Sequence, residues 1–291
     1  MSESVQRPIL ITGKNGQVGR ELVDLCEAKG IAYVAFDSKE LDISDAARVN
    51  TVLVKYLPAA VINAAAYTAV DKAESEQGLA YRVNCDGVKN LAIVCNNIDC
   101  LLLHISTDYV FDGEKALPYL VADETNPTGV YGASKLAGEK AILDACPKHF
   151  IFRVSWVFGQ YGNNFVKTML RLAKERDELG VVNDQYGAPT AAADIAEVIL
   201  GCVINKLENY GVYHLESNPG VSWYEFANEI FKQAVAQGCI ERAPVVKAIT
   251  ADQFPTPARR PSNSKLSSEP NDPFKILGWE LGLRKVLQSL Q

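Results

Sequence analysis

The hydrophobic pattern of the first half of the chain alternates between short apolar runs and longer amphipathic stretches. Apolar runs of strand length lie at Ile9–Thr12, Ala32–Phe36, Ala60–Asn63, Leu101–Ile105 and Phe150–Val154. Stretches with helical periodicity lie between them, near Gln17–Lys29, Asp45–Leu57, Leu79–Asn97 and Tyr131–Ala145. Strands that alternate with helices form βαβ units, and unbroken apolar runs suit strands that are covered on both faces. The pattern predicts an α/β fold with a doubly wound parallel sheet.

The pattern changes after Gly159. Asn164–Arg176 has an apolar stripe at helical spacing, and Ala191–Val203 is apolar enough to pack as a helix against the sheet. Prolines then cluster between residues 255 and 273, where they interrupt regular structure. We therefore predict two lobes. The larger comprises residues 1–158 and about 188–210, and the smaller, loop-rich C-terminal lobe comprises about 159–187 and 211–291.

The composition excludes several classes of protein. Of 291 residues, 48% are hydrophobic and 22% are charged, as in ordinary globular proteins. The net charge is −6 and the sequence has no dense basic run, so nucleic acid is not an expected partner. The sequence has no apolar stretch of membrane-spanning length, and the polar segment Met1–Arg7 lacks the apolar run of a secretory signal, so no membrane is expected either.

The cysteines and histidines indicate the compartment and the type of site. Seven cysteines are scattered without a Cys-x-x-Cys pair, which is typical of reduced thiols in the cytoplasm. His104, His149 and His214 lie far apart and show no metal-ligand spacing, so no metal ligands are predicted. These observations favour a soluble cytoplasmic enzyme.

A glycine-rich loop directly follows the first predicted strand and leads into a helix. Its sequence is Thr12-Gly13-Lys14-Asn15-Gly16-Gln17-Val18-Gly19. Such glycines let the backbone approach a pyrophosphate closely, and the following helix N-terminus presents free N–H groups to the anion. The spacing is Gly-x-x-Gly-x-x-Gly rather than the commoner Gly-x-Gly-x-x-Gly, but strand, loop and helix stand in the required order. We predict a Rossmann-type sheet whose lobe binds a dinucleotide through Gly13, Asn15, Gly16, Gln17, Val18 and Gly19.

Asp37 ends the second predicted strand, where a carboxylate commonly accepts a hydrogen bond from a ribose hydroxyl of the cofactor. Ser38 and Lys39 follow immediately, and these side chains could instead hold a 2′-phosphate. The residues therefore leave the choice between NADH and NADPH open.

Tyr131 and Lys135 are four residues apart in a predicted helix, so both can point into one cleft. A nearby ammonium group favours phenolate and lowers the pKa of a tyrosine, which suits proton transfer near neutral pH. Thr107 follows the buried run Leu101–Ile105, at the carboxyl end of a sheet strand, where ligand sites of open α/β sheets lie. These three residues are the predicted catalytic residues.

These motifs resemble the extended short-chain dehydrogenase/reductase family. The shared residues are Thr12-Gly13-x-x-Gly16-x-x-Gly19, Asn63-Ala64-Ala65, Ser106-Thr107 and Tyr131-x-x-x-Lys135. Within that family the chain is similar to the dTDP-4-dehydrorhamnose reductases. The similar segments include 63–74, 106–113, 153–159, 184–190 and 260–266, so the resemblance covers nearly the whole chain.

The resemblance implies that hydride passes from NADPH or NADH to the C4 ketone of dTDP-6-deoxy-L-lyxo-4-hexulose, giving dTDP-L-rhamnose. Tyr131 would donate the proton, Lys135 would hold the nicotinamide ribose, and Thr107 would orient the ketone. The remaining predicted cofactor contacts are Asp37, Ser38, Lys39, Asp42, Ala64, Ala65 and Ala66. Homodimers, some with Mg²⁺ at the interface, occur among the relatives, and the sequence leaves both features open.

The smaller lobe would bind the nucleotide sugar. The predicted substrate-binding residues are Thr68, Asp108, Tyr109, Trp156, Asn164, Gln185 and Arg260. Arg260 has the clearest physical reason, because a guanidinium group forks onto a diphosphate. For Trp156 and Gln185 a packing role is as compatible with the sequence as a binding role.

Two other functions stay open on the sequence. A nucleotide-sugar dehydratase or epimerase uses the same scaffold, although Tyr109 stands where dehydratases typically have the second acid of a Thr-Asp-Glu motif. A non-catalytic regulatory subunit like that of methionine adenosyltransferase is the other alternative, since fold alone does not decide activity.

Overall fold

Twelve strands and ten α-helices make up the part of the chain that the computed structural model describes, residues 7–268 and 272–291. The segment Met1–Gln6, most of the polar N-terminus discussed above, lies outside it. The strands are β1 (Ile9–Thr12), β2 (Tyr33–Phe36), β3 (Ala60–Asn63), β4 (Leu101–Thr107), β5 (His149–Val154), β6 (Val157–Phe158), β7 (Glu178–Val182), β8 (Tyr186–Gly187), β9 (Thr190–Ala191), β10 (Gly211–Leu215), β11 (Val221–Ser222) and β12 (Val245–Ile249). The helices are α1 (Gln17–Ala28), α2 (Ala46–Tyr56), α3 (Val70–Ala73), α4 (Gln77–Tyr81), α5 (Val88–Asn97), α6 (Val130–Ala145), α7 (Phe165–Glu175), α8 (Ala192–Ile204), α9 (Trp223–Ala236) and α10 (Trp279–Ser289).

The central sheet has six parallel strands in the order β10-β5-β4-β3-β1-β2. The chain first adds β2 on one side of β1 and then crosses to add β3 on the other side. The order therefore reverses at β1 and β3, and the crevice at the carboxyl ends of these strands is where doubly wound sheets bind ligands. Thr12 pairs with Asn63, and Asn63 pairs with His104, so polar side chains follow one row across three strands.

Helices cover both faces of this sheet, as predicted. On one face α1 and α8 pack against Ile9 and Ile11, and on the other α2, α5 and α6 pack against Leu10. Alternate residues of β1 thus enter two separate cores, which explains its unbroken apolar sequence. Within residues 7–268 and 272–291, none of the helices combines the length and the apolar character that membrane crossing requires.

Two predicted elements differ from the structure. The predicted helix Leu79–Asn97 is divided into α4 and α5 by a π-helical segment, Arg82–Gly87. β4 continues two residues beyond the predicted Ile105, because Ser106 and Thr107 still pair with β5. Thr107 is consequently the last residue of β4, at the carboxyl end of a strand as predicted.

The smaller lobe has its own core, in which α7, α9 and α10 pack with the two-stranded parallel sheet of β7 and β12. The predicted boundary at residue 211 is wrong for β10, because this strand pairs with β5 in the large sheet. Phe274 also returns to that sheet and packs against Phe150 and Phe152. The other domain boundaries stay predictions.

Candidate active site

The loops after β1 and β3 touch each other at the reversal point of the sheet. Gly13 has a φ of +72°, and a Cβ atom there would lie 2.6 Å from the backbone of Ala64 and Ala65. A Cβ atom at Gly19 would lie 2.1 Å from the carbonyl oxygen of Gly13. Glycine is thus required at 13 by conformation and close approach, and at 19 by the packing of α1 on the loop.

The N-terminus of α1 is open to an anion. Gly16 is its N-cap and supplies no side-chain hydrogen bond to the first turn. The Gly16 N–H is bonded to the Gly13 carbonyl at 2.9 Å, so the loop is tightly turned. A glycine cradle that leads into an uncapped helix end fits a pyrophosphate. The predicted contacts of Val18, which is buried, and of Gln17, which accepts a hydrogen bond from Asn164 of the smaller lobe, stay predictions.

Asp37 organises the loop after β2. Its carboxylate accepts hydrogen bonds from the backbone N–H groups of Lys39 and Glu40 and from the side-chain amide of Asn15. The bond from the Glu40 N–H is the main cause that lowers the pKa of Asp37. Ser38 and Lys39 are exposed. Asp37 therefore presents a fixed anion beside the glycine loop, as a ribose site needs.

Asp42 lies one turn further along this loop. Its carboxylate accepts hydrogen bonds from the backbone and hydroxyl of Ser44. Ala66, at the other side of the crevice, follows Ala65 in the segment after β3 and is partly buried. Their contacts with a cofactor stay predictions.

A chain of buried polar side chains runs beneath the crevice from β1 to α6. Thr12 donates to Asn63 Oδ1 at 2.6 Å, and the Asn63 amide lies 2.9 Å from His104 Nδ1. His104 Nε2 lies 3.0 Å from Lys135 Nζ, which also donates to the carbonyl of Ile105 at 2.7 Å. His104 is not among the predicted site residues, although a histidine in an apolar strand run signals a buried polar group that needs partners.

The helix that holds the predicted catalytic pair, α6, begins at Val130. Its N-terminal N–H bonds at 2.9 Å to Oε1 of Glu74, which comes from the distant segment after α3. A Cβ atom at Gly132 would lie 2.1 Å from the Tyr109 carbonyl, so α6 packs directly on the turn that follows β4. These contacts hold Tyr131 beside the carboxyl end of β4.

Tyr131 lies close enough to Thr107 for the threonine hydroxyl to lower the pKa of the phenol, so two predicted catalytic residues are brought together. Burial, with a smaller effect of the Asp108 carboxylate, raises the pKa of Tyr131. The prediction that Lys135 lowers the pKa of Tyr131 is thus wrong for the ligand-free protein. The lysine Nζ bonds to His104 and to the carbonyl of Ile105 and not to the phenol. The phenol stays protonated, which suits a proton donor.

Asp108 lies behind this pair. Its carboxylate accepts hydrogen bonds from Thr107 and from Ser155, and burial raises its pKa to about 6. Thr107 accepts in turn from the backbone N–H of Tyr109. Asp108 therefore orients the Thr107 hydroxyl and is itself only 3% exposed.

A cavity of about 900 Å³ adjoins the site and extends between the two lobes. Four predicted substrate-binding residues line it: Tyr109, Trp156, Gln185 and Arg260. The Tyr109 ring lies edge-on to Tyr131 with centroids 5.5 Å apart, and its hydroxyl accepts from Arg260 at 2.9 Å. The cavity lining thus includes the guanidinium group and Tyr109, and Tyr109 is the lining residue that packs against Tyr131.

Trp156 has the left-handed conformation, with a φ of +46°, and stacks on Trp223 with ring centroids 3.4 Å apart. A Cβ atom at Gly187 would lie 2.3 Å from its indole. Trp223 also lines the cavity and was missed by the sequence analysis, because its position at the start of α9 gives an ordinary amphipathic pattern. Strained conformations of this kind persist where surrounding packing enforces them.

The other predicted substrate residues lie outside the lining of this cavity. Asn164 is the N-cap of α7, and its amide nitrogen donates to Gln17 and to Gly159, so the structure gives it a supporting role. Thr68 is exposed in the segment after β3. In the described ranges, 7–268 and 272–291, no three His, Cys, Asp or Glu side chains are grouped to hold a metal ion.

Comparisons with known proteins agree with this geometry. The family model for the RmlD substrate binding domain matches residues 7–291. A dTDP-4-dehydrorhamnose reductase of Aggregatibacter actinomycetemcomitans is 49% identical over 89% of this chain and 90% of its own, and one of Salmonella typhimurium is 44% identical over 97% of both. The crystal structure of the Bacillus anthracis dTDP-4-dehydrorhamnose reductase in complex with NADP is 38% identical, covers 98% of this chain and 99% of that one, and has a TM-score of 0.91. By its sequence and its fold, the chain belongs to the dTDP-4-dehydrorhamnose reductase family.

Proposed function

We propose that the protein reduces the C4 ketone of dTDP-6-deoxy-L-lyxo-4-hexulose to dTDP-L-rhamnose with NADPH. The observation that supports this most directly is the Thr107–Tyr131 pair at the carboxyl end of β4, where Tyr109 connects it to the cavity. A protonated phenol that packs against the cavity lining and a guanidinium group within that lining match a ketone and a diphosphate on one substrate.

The cofactor would lie in the crevice at the ends of β1 and β3. Gly13, Gly16 and the first turn of α1 would hold the pyrophosphate, Asp37 would hold the adenosine ribose, and Lys135 the nicotinamide ribose. A bound NADPH supplies the hydride. The preference for NADPH rests on the relative in complex with NADP and on the exposed Ser38 and Lys39 beside the ribose site.

The proton comes from Tyr131. Charge that develops on the ketone oxygen is neutralised when the phenol transfers its proton, and the high pKa of the phenol keeps that proton in place beforehand. The Thr107 hydroxyl, which donates to Asp108 and is oriented by it, would lie beside the ketone oxygen. Trp156 and Arg260 would contact the sugar nucleotide.

An assay at 340 nm, where reduced nicotinamides absorb, tests the proposal with dTDP-6-deoxy-L-lyxo-4-hexulose and either cofactor. We expect one NADPH consumed for each dTDP-L-rhamnose formed, with the product identified by NMR. An epimerase would form product without net consumption of NADPH, and a regulatory subunit would consume none. Either result would refute the proposed function.

We also propose that the protein works in the cytoplasm as a homodimer. All seven cysteines are free, which fits a reducing compartment. Analytical ultracentrifugation with Mg²⁺ and with EDTA tests the dimer and whether a metal supports it.

A further inference from the structure

His104 is a buried imidazole group to which the proposed reaction gives no role. It lies in β4 with 0% of its surface exposed, and it separates Asn63 from Lys135. A neutral imidazole has one N–H and one acceptor nitrogen, so the partners on its two sides decide which nitrogen has the proton. The position of the proton therefore decides whether His104 Nε2 offers Lys135 a hydrogen-bond donor or an acceptor.

The orientation of Asn63 is decided by the backbone. The N–H of Ala65 lies 3.2 Å from Asn63 Oδ1, and the Thr12 hydroxyl donates to the same oxygen. A backbone N–H can only donate, so the side-chain atom that faces it is the carbonyl oxygen. The NH₂ group of Asn63 therefore faces His104 Nδ1 at 2.9 Å.

An NH₂ group that faces Nδ1 requires Nδ1 to accept. Neutral His104 then has its proton on Nε2, which lies 3.0 Å from Lys135 Nζ. Two N–H donors that face each other at this distance would repel, so an ammonium group at Lys135 is disfavoured by the same hydrogen-bond chain. The Lys135 amine can accept from Nε2 and still donate to the Ile105 carbonyl at 2.7 Å.

We propose that His104 is a positioning residue that donates its Nε2–H to Lys135 and thereby favours the neutral amine form of Lys135 in the cofactor-free protein. The inference deepens the proposed function, on which it rests for the role of Lys135 at the nicotinamide ribose. An amine in this state can gain a proton when the site is filled, without a change in its packing.

Burial and a nearby carboxylate act on Lys135 in opposite directions. Burial lowers the pKa of Lys135 to about 8, and the Glu139 carboxylate on the same helix opposes this lowering. Glu139 is itself paired with Arg153 of β5 at 2.7 Å and accepts from Ser106. Burial first, and then Lys135, lowers the pKa of His104, so the imidazole stays neutral. Tyr131 on the cleft side is a neutral phenol.

The tautomer can be measured on the unmodified protein. In a protein labelled with ¹⁵N-histidine, long-range ¹H–¹⁵N spectra distinguish a protonated ring nitrogen from an unprotonated one. The chain has three histidines, so spectra of His149→Gln and His214→Gln assign the His104 signals by elimination. We expect Nε2 protonated and Nδ1 unprotonated across neutral pH. A protonated Nδ1 would overturn the proposal.

Titration of Lys135 provides the second readout. In protein labelled with ¹³C-lysine, with the signal assigned by its loss in Lys135→Arg, we expect a midpoint near pH 8, well below that of an ordinary lysine. In His104→Gln the amide oxygen can accept from an ammonium group, so the midpoint should rise by about one pH unit or more. His214→Gln is the matched control, since it removes another buried imidazole that does not contact Lys135.

An unchanged Lys135 midpoint in His104→Gln would contradict the proposal, as would an equal change in His214→Gln. Neither measurement involves turnover. The absence of reductase activity would therefore refute the proposed function, but it would not affect the measurements on His104 and Lys135.

Discussion

Asp71 accepts a hydrogen bond from Nη2 of Arg260 at 2.8 Å, although 189 residues separate the two in the chain. The other terminal nitrogen of the guanidinium group donates to the Tyr109 hydroxyl. Arg260 is therefore already oriented by two partners, and its remaining N–H groups are available to a ligand in the cavity. The ion pair also joins α3 of the large lobe to the proline-rich segment near the C-terminus.

If Arg260 contacts the substrate diphosphate, Arg260→Ala should weaken the affinity for dTDP about tenfold to a hundredfold, the range for one hydrogen bond to a charged group. NADPH affinity should stay near that of the unmodified protein. Arg260→Lys should restore only part of the loss, because an ammonium group cannot fork. Calorimetric titration measures both ligands.

Asp71→Asn is the control for that experiment. It leaves the charge of Arg260 and its contact to Tyr109 in place but replaces the competing carboxylate with a neutral amide, so dTDP should bind at least as tightly as before. Equal weakening of dTDP and NADPH in Arg260→Ala would indicate that Arg260 acts through the fold and not through the diphosphate.

Tyr131→Phe removes the proton donor and keeps the ring that packs against Tyr109. We expect the single-turnover rate of NADPH oxidation to fall about a hundredfold to ten-thousandfold at saturating ligand concentrations. Thr107→Val should cost less, at most about 3–4 kcal/mol in the barrier, if Thr107 supplies one hydrogen bond. A Tyr131→Phe protein within a few-fold of the original rate would exclude Tyr131 as the donor.

Asp108 should make stability depend on pH. Its pKa is raised from 3.8 to about 6 by burial, so the folded state binds the proton more tightly than the unfolded chain does. The free energy of unfolding should therefore fall as pH rises from about 4 to 6, by about 3 kcal/mol at most for a difference of this size. Above pH 6 the loss is complete.

Asp108→Asn removes this charge and should be more stable than the original protein at pH 7 but not at pH 4. Urea unfolding at both pH values measures the difference. An identical stability difference at the two values would show that Asp108 does not titrate in this range.

The glycine loop allows a graded test. Gly16 has an ordinary φ of −76°, and a Cβ atom there would meet only the Gly13 carbonyl, at 3.3 Å. Gly16→Val should therefore fold but lose NADPH affinity far more than dTDP affinity, since its branches would enter the pyrophosphate site. Gly13→Ala, with positive φ and a 2.6 Å approach to Ala64, should instead reduce stability. Unchanged NADPH binding in folded Gly16→Val would refute the loop assignment.

The parts of the fold that local patterns describe were predicted well. Five of the six strands of the large sheet correspond to apolar runs, because residues of each pack against the cores on both faces of the sheet. The sixth, β10, was missed because Gly211, Val212 and Tyr213 are only partly buried at the sheet edge, so its sequence is less distinctive.

The site was predictable where a motif defines it and not where distant segments meet. The glycine loop and the positions of Thr107 and Tyr131 follow from order along the chain. The cap of α6 by Glu74, the stacking of Trp223 and the hydrogen bond of His104 to Lys135 each depend on tertiary contacts. No local periodicity encodes such contacts. For the same reason, the pKa of Tyr131 is raised in the structure, whereas the sequence predicted that it is lowered.

The place of β10 at the edge of the large sheet has a consequence for biosynthesis. The ribosome must synthesise α7, β7 and α8 before β10 becomes available to pair with β5. A nascent chain that ends before residue 211 therefore exposes the edge of β5, and open strand edges are templates for aggregation. The nascent protein should depend on chaperones until β10, residues 211–215, has left the ribosome and can pair with β5.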